Sequence, residues 1–406
     1  MTGAKKAAER FINPFRPGAG HKPPFLAGRD LEKLAFRKLL KQTTITDNLV
    51  LTGLRGVGKT VLLDEFREIA INQKWLWVGT DLSESASMTE ETIVTRLLAD
   101  LSAVTSAIEY QPPTIQPGLG FGKTIERQNN LGFQSLVAIF QSTPGLYADK
   151  LKSVLEFAWS GIQKTSASGL IFAYDEAQNV GDHSGDKQFP LSLILDVFQS
   201  IQRKGIPFML VLSGLPTLFP KLVEARTYAE RMFHIEFLDR LNEKDSRDAI
   251  QKPISMAGCP HPLSKDLVSE ITTQSGGYPY FIQFICREVY DVAVQKADAG
   301  LPLRVSIDDI TRKLDADFFA GRWARATDRQ RDLLRIIASL PTCEEEFTVQ
   351  EVVNASKGAD APFSSSHVNQ MLVKLASMGL IYKNRHGKYA FAVPLLGQFI
   401  TRQLEL

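Results

Sequence analysis

The 406-residue chain lacks an unbroken apolar run of about 18 residues, the length that crosses a membrane as a helix. The nearest stretch, IPFMLVLSGLPTLFP at Ile206–Pro220, carries three prolines and a Ser-Gly pair, and reads as a buried strand running into a loop. Cysteine is scarce. Cys259, Cys286 and Cys343 show no metal-like spacing, which sets aside a disulfide scaffold and fits a reduced compartment. Excess charge is also missing: a net +2 gives no global footprint for nucleic acid, so any basic surface must be local. The opening MTGAKKAAERF is basic but has no apolar core, so it is not expected to be a signal peptide. These absences predict a cytoplasmic protein that does not engage a membrane. What is present, 44% hydrophobic and 23% charged residues, is ordinary globular stock for two or three domains.

Residues 1–24 are rich in Gly, Pro and Lys and read as an extended arm. From residue 25 to 238, apolar strands alternate with amphipathic helices: NLVLTG, KWLWVGTDL, GLIFAYDEAQ and PFMLVLSG are the strand signals. That alternation predicts an α/β core with a parallel sheet covered on both faces. Periodicity turns purely helical over 239–320, broken by SGGYPY at Ser275–Tyr280, and predicts a small helical lid. Residues 321–406 predict an α+β module. In it TDRQRDLLRIIASL, with Thr327 as N-cap, precedes two helices and a hairpin, LIYKNRHGKYAFAV. No internal repeat is evident.

GLRGVGKT at Gly53–Thr60 satisfies the pattern G-x-x-x-x-G-K-[ST], directly after the strand NLVLT and before a helix opening near Lys59. In such a loop, backbone N–H groups of Gly53, Leu54, Arg55, Gly56, Val57, Gly58, Lys59, Thr60 and Val61 surround phosphate oxygens, and the helix N-terminus favours their charge. Lys59 is expected to reach the β- and γ-phosphates of ATP, and the Thr60 hydroxyl to ligate Mg2+. About 115 residues downstream, IFAYDEAQ ends an apolar strand in two acids. Asp175 is expected to hold the metal and Glu176 to polarise the attacking water.

A second GKT, PGLGFGKT at Pro117–Thr124, starts with Pro rather than Gly. It has neither a strand before it nor a convincing helix after it. Residues 111–132 therefore read as a long mobile surface loop rather than a second phosphate site. A sharper reading puts Phe121 and Lys123 against a neighbouring subunit or a nucleic acid strand.

With these motifs in order, the chain resembles the AAA+ superfamily. Within it the likeness is to the branch of the replication-initiator (origin-recognition), archaeal and STAND-like ATPases. The resemblance covers about residues 25–400 and rests on LAGRDLE, GLRGVGKT, IFAYDEAQ, LVLSGLP, YAERMF and SGGYP. It implies that Gly28 and Arg29 pack the adenine side of the nucleotide. It makes Ser213 the γ-phosphate sensor, with Thr217 competing for that role. Arg231 falls where an arginine completes a neighbouring subunit's site, which implies self-association; the alternative is an ion pair with Glu230 or Glu236. SGGYPY departs from the initiator pattern, which has a sensor arginine there, and Arg287 lies too far along to replace it. Gly276, Gly277 and Pro279 instead resemble the element that closes over base and sugar in STAND-like ATPases, so turnover is expected to be slow or partner-stimulated.

The C-terminal module looks like a winged helix. Residues 322–406 hold eleven Lys/Arg against eight Asp/Glu. Lys383, Arg385, His386 and Lys388 on the wing, with Ser364–Ser366, His367, Asn369, Gln370 and Lys374 on the reading helix, are the candidate contacts to duplex DNA. Winged helices also serve protein partners or pack back on their own core, and His367 has an alternative reading toward nucleotide. The expected function is ATP hydrolysis whose nucleotide state controls self-assembly or DNA engagement. The rival is a nucleotide-gated signalling or interaction switch with little turnover and no DNA contact.

Overall fold

The computed structural model describes residues 13–18, 20–83, 89–110, 129–259, 262–301, 305–358, 361–385 and 387–403. Its contacts divide the chain into two units. One comprises Asp30–Gly53 and Leu62–Phe237; the other joins the described residues up to Arg29, the segment Leu54–Val61, and those from Leu238 onward.

The first unit holds α1 (Asp30–Leu39), β1 (Asn48–Gly53), the body of α2 (Lys59–Asn72), β2 (Trp75–Val78), α3 (Glu90–Thr105), β3 (Glu109–Tyr110) and β4 (Asn129–Asn130). It continues through α4 (Phe133–Ser142), α5 (Tyr147–Ile162), β5 (Gly169–Tyr174), α6 (Pro190–Arg203), β6 (Phe208–Gly214), α7 (Leu218–Ala225) and β7 (Phe233–Leu238). The sheet runs β2-β5-β6-β1-β7, with β2, β5, β6 and β1 paired in parallel. Strands β1, β5 and β6 are buried along their whole length, as expected of continuous apolar runs in a sheet covered on both faces. Register aligns the carboxyl ends: Leu51 pairs with Ser213, Tyr174 with Leu212, and Asp81 bridges to Asp175.

Aromatic contacts lock the layers of this unit. Phe36 stacks on Phe66 at 4.3 Å, and Phe172 meets Phe198 edge-on at 5.2 Å. Asn48, fully buried at the start of β1, accepts from Leu210 N at 2.7 Å and from Gln202 Nε2 at 2.8 Å. Its backbone N donates to Met232 O at 2.8 Å. One amide thus satisfies groups from β6 and α6, which fixes how far each strand runs toward the site.

The second unit carries α8 (Glu243–Met256), α9 (Lys265–Gln274), α10 (Pro279–Asp298), α11 (Ile307–Leu314), α12 (Ala320–Ala324) and α13 (Asp328–Ala338). After them come β8 (Phe347–Thr348), α14 (Val349–Ala355), α15 (Ser365–Ser377), β9 (Ile381–Arg385), β10 (Lys388–Phe391) and α16 (Leu396–Arg402). Side-chain caps start most of them: Asn242, Ser264, Ser306, Thr327, Thr348 and Ser364 each accept from the backbone N–H three residues on. Thr327 and Thr348 complete capping boxes with Gln330 and Glu351. A π-helical turn, Asp315–Phe319, joins α11 to α12 and places Phe318 and Phe319 among Tyr280, Phe281 and Phe399. Arg402 anchors this turn through Asp315 at 2.5 and 2.9 Å. The strands order as β8-β10-β9. Among the described residues no helix is long and apolar enough to cross a membrane.

The residues expected as part of an extended arm lie along α10 from residue 13. Asn13 Nδ2 donates to Arg287 O at 2.9 Å and to Asp291 Oδ1 at 2.8 Å, and Arg16 N donates to Gln283 Oε1 at 3.2 Å. Residues 111–128, including the second GKT, fall outside the described residues, whereas 129–132, expected as the end of a mobile surface loop, hold β4 paired with β3 and the buried Leu131.

Candidate active site

The loop expected to hold phosphate belongs to the second unit. β1 runs directly into residues 54–58, and Lys59 opens α2. Gly56 and Gly58 sit at φ +78° and +94°, which side chains rarely adopt. Nothing lies within 4 Å of where a Cβ on Gly58 would stand, so the loop is open there. Lys59 is buried and its Nζ donates to Leu54 O at 2.9 Å, folded over the loop. Val57 is buried, whereas Thr60 is exposed at the first turn of α2. An open turn with two left-handed glycines and an ammonium folded across it fits a phosphate chain.

Two expected elements reach this loop. Arg29 is buried and its Nη2 donates to Val57 O at 3.0 Å and to Asp239 O at 2.8 Å, tying the loop to the start of the helical segment. Gly28, at φ +61°, lies where a Cβ would come within 2.6 Å of Asp245 Oδ2. Gly276 and Gly277 precede Pro279, the first residue of α10. Tyr280 N, in the first turn of that helix, donates to Gly56 O at 3.1 Å. Tyr280 thus fastens SGGYPY to the loop, a contact the spacing of the two motifs did not reveal. Arg287, further along α10, turns to Glu288 at 2.8 Å.

Gly277 shows how tightly this junction is built. Its φ is +77°, its carbonyl accepts from Leu241 N at 2.8 Å, and a Cβ would lie 2.4 Å from Leu241 O. Gly277→Ala is expected to lower stability by about 2–4 kcal/mol, because both the backbone angle and a main-chain oxygen oppose it. Gly258→Ala, at φ +62° in open space, is expected to cost only about 1 kcal/mol. Urea denaturation of the two variants side by side checks the difference.

The expected acidic residues lie in the first unit. Asp175 follows β5 and is 3% exposed; its Oδ1 accepts from Glu176 N at 2.9 Å. Glu176 occupies the left-handed region at φ 52°, and its Oε2 accepts from Gln178 Nε2 at 2.5 Å. Asp81, not foreseen, pairs with Asp175 beyond the end of β2. Burial first, then the Asp175 and Glu176 carboxylates, push its carboxyl above the ordinary range. Ser213 is fully buried in β6. Its hydroxyl and that of Thr52, near the carboxyl end of the adjacent β1, have no hydrogen-bond partner among the described residues. Buried hydroxyls left unsatisfied are where a water, an ion or a ligand belongs. Thr217 stands half-buried immediately before α7.

Arg231 ends a short turn, Thr227–Arg231, before β7. It is exposed and makes no ion pair among the described residues; Glu236 instead faces His234 at 2.7 Å. The turn is held from behind by Arg226, which grips Asp196 at 2.6 and 2.8 Å, and by Tyr228, whose hydroxyl donates to Asp196 at 2.7 Å. Burial, followed by the hydrogen bond to Asp196, pushes the Tyr228 phenol well above its ordinary value.

On the C-terminal module, Lys383 and Arg385 lie on β9 and Lys388 on β10. Arg385 is held by Glu346 at 2.7 and 3.0 Å, which pulls the Glu346 carboxyl below its usual range. His386 falls outside the described residues. His367 sits 5.6 Å from the Phe363 ring, beside Arg329 stacked on that ring at 3.6 Å.

Among solved structures the chain is similar to a Walker-type ATPase of Pyrococcus abyssi, with a TM-score of 0.56 at 15% identity over 93% of this chain and 96% of that one. It is also similar to the Aeropyrum pernix ORC2 protein in its ADP form, with a TM-score of 0.52 at 14% identity over 96% of this chain and 98% of that one. The fold is that of the AAA+ P-loop ATPases. The same ORC2 protein in its ADPNP-ADP complexes aligns at a TM-score of 0.50 and 15% identity, over 96% of this chain and 98% of that one. Residues 316–400 match a domain of unknown function, DUF8462. No curated protein matches the sequence.

Proposed function

We propose that this chain binds Mg2+-ATP and hydrolyses it to ADP and phosphate, with nucleotide state controlling self-assembly. The observation that carries the reading is the open loop of Gly56 and Gly58, with Lys59 folded across it at the head of α2. Lys59 exchanges the Leu54 carbonyl for the β- and γ-phosphate oxygens, and the loop amides bind the rest of the chain of phosphates. Thr60 and Asp175 hold Mg2+, which when bound draws charge from the transferring phosphoryl group. Glu176 takes a proton from the attacking water as its oxygen bonds to the γ-phosphorus and the bond to ADP breaks. Ser213 donates its unpartnered hydroxyl to the γ-phosphate. Gly28 and Arg29 on one side, and Gly277 and Pro279 on the other, frame the base and sugar. The two orphan hydroxyls of Thr52 and Ser213 and the open glycine turn support this reading.

Arg231 reaches a neighbouring subunit's nucleotide, since it is exposed and, among the described residues, makes none of the ion pairs that would otherwise employ it. The C-terminal α13–β8–α14–α15–β9–β10 order supports its reading as a winged helix. Duplex DNA is its candidate ligand through Lys383, Arg385 and Lys388, although Arg385 must first leave Glu346. A second reading, a nucleotide-gated switch for a protein partner in the cytoplasm, is favoured by Arg55. Its guanidinium lies against Gly379 in the turn between α15 and β9, where a Cβ would stand 3.0 Å from Nη1. The C-terminal module therefore touches the phosphate loop itself.

The test is ATP turnover per chain at rising protein concentration, with mass measured in ATP and ADP and duplex DNA present or absent. Wild-type turnover is expected to climb with concentration and that of Arg231→Ala to stay flat. Identical curves for the two proteins would remove the assembly reading. A DNA-dependent rise lost in Lys383→Ala/Lys388→Ala would select DNA over the protein-partner switch.

A further inference from the structure

Gln178, three residues beyond Asp175, sits at the one point where the end of β6 and the Glu176 carboxylate meet. Its side chain is 8% exposed. The amide Oε1 accepts from Leu215 N at 3.0 Å, immediately past β6, while Nε2 donates to Glu176 Oε2 at 2.5 Å. An amide has one acceptor end and one donor end. Because Leu215 N–H can only donate, the oxygen is fixed toward β6 and the NH2 is fixed toward the carboxylate. Packing enforces the same path: a Cβ on Gly214 would come within 2.5 Å of Gln178 Oε1, so only glycine lets the amide lie this close to the strand.

The backbone around it is equally constrained. Lys221 of α7 donates from Nζ to Gln178 O at 2.7 Å, and Asn179 Nδ2 donates to Leu82 O at 2.8 Å. The short turn Ala177–Asn179 is thereby tied to α7 and to the residues following β2. Glu176, just before it, keeps a left-handed φ of 52° that a non-glycine residue holds only when its surroundings determine it. Two residues before Leu215 stands Ser213 with its orphan hydroxyl.

We propose that Gln178 is a positioning residue that aims the Glu176 carboxylate at the attacking water and couples it to the β6 end carrying Ser213. The inference rests on Glu176 acting as the base for hydrolysis. One carboxylate oxygen is occupied by the amide, so the other is left at a fixed orientation to accept the water's proton. A shift of Ser213 and Leu215 as the γ-phosphate is bound or lost passes through the amide to Glu176.

Four variants of the full chain test this: Glu176→Gln, Gln178→Ala, Gln178→Glu and Gln178→His. Single-turnover hydrolysis, affinity for a fluorescent ATP analogue, and thermal midpoint are measured for each. Gln178→Ala frees the carboxylate. Gln178→Glu keeps an acceptor for Leu215 but sets a like charge against Glu176. Both are expected to lose about 10- to 100-fold in hydrolysis rate with analogue affinity unchanged. Gln178→His, with one acceptor and one donor on a planar ring, is expected to recover at least part of the rate. Glu176→Gln hydrolysing at the wild-type rate would remove the base assignment itself. Glu176→Gln inactive with Gln178→Ala and Gln178→Glu at full rate would overturn the coupling alone. Parallel losses of rate, affinity and thermal midpoint in the Gln178 variants, without recovery in Gln178→His, would also overturn it by showing a purely structural residue.

Discussion

Lys59→Ala is expected to bind ATP roughly 10- to 100-fold more weakly than the wild type and to lose about 100- to 1000-fold in turnover. The Lys59 ammonium donates to Leu54 O at 2.9 Å, a neutral acceptor. Exchanging that carbonyl for phosphate oxygens converts an ordinary hydrogen bond into a charge-assisted one, about 1.5–3 kcal/mol in a buried setting. At about 1.4 kcal/mol per decade this is roughly 10- to 150-fold, which brackets the expected loss of affinity. Turnover suffers more because charge on the phosphoryl oxygens grows toward the transition state, where a fixed cation stabilises it most. Alanine is a strong helix former, so α2 still begins at position 59. Titration of a fluorescent ATP analogue, together with a denaturation curve, checks the result. Wild-type affinity in a folded Lys59→Ala protein would remove the loop from the site.

Glu176→Gln is expected to leave ATP bound and reduce hydrolysis by about two to four orders of magnitude. Removing a general base typically costs that much. The replacement is close to isosteric, and its amide oxygen still accepts from Gln178 Nε2, so the turn after β5 keeps its hydrogen bond. The variant separates binding from chemistry: affinity stays near wild type while the single-turnover rate collapses. It also populates the ATP-bound form, so its mass in ATP is expected to report the assembled state directly. Full-rate hydrolysis by Glu176→Gln would transfer the base role to another group near Asp175, for which Asp81, bridged to Asp175 beyond the end of β2, is the candidate.

The core strands were legible because NLVLTG, GLIFAY and FMLVLSG are continuous apolar runs, and the structure buries every residue of them. Strand β7 was not. FHIEFL has an exposed middle at the sheet edge, so it shows neither a buried run nor a clean alternation. The Thr327 cap was readable from local chemistry, since its partner Gln330 is only three residues away. The Tyr280 contact to Gly56 and the Gln178 contact to Leu215 stayed hidden for a different reason. Each depends on residues far apart in the chain, and tyrosine and glutamine have no motif of their own. Gln178 stands inside the quoted IFAYDEAQ, yet only the fold shows what its amide touches. Asp81 became visible only when β2 took its place beside β5.

The second unit gathers three distant parts of the chain: residues 13–29, the loop at 54–61, and everything from Leu238 onward. Asn13 finds its partners Arg287 and Asp291 across 274 and 278 residues of sequence. During synthesis, which proceeds from the N-terminus at about 5–20 residues per second, the sheet unit emerges with nearly all its strands before those partners exist. The phosphate loop leaves the ribosome early, but Asp239 and Tyr280, which fasten it, arrive much later. Such long-range closure is slow compared with local folding. The nascent chain therefore passes through an interval in which its sheet can form while the loop at 54–61 is not yet fastened by Asp239 and Tyr280.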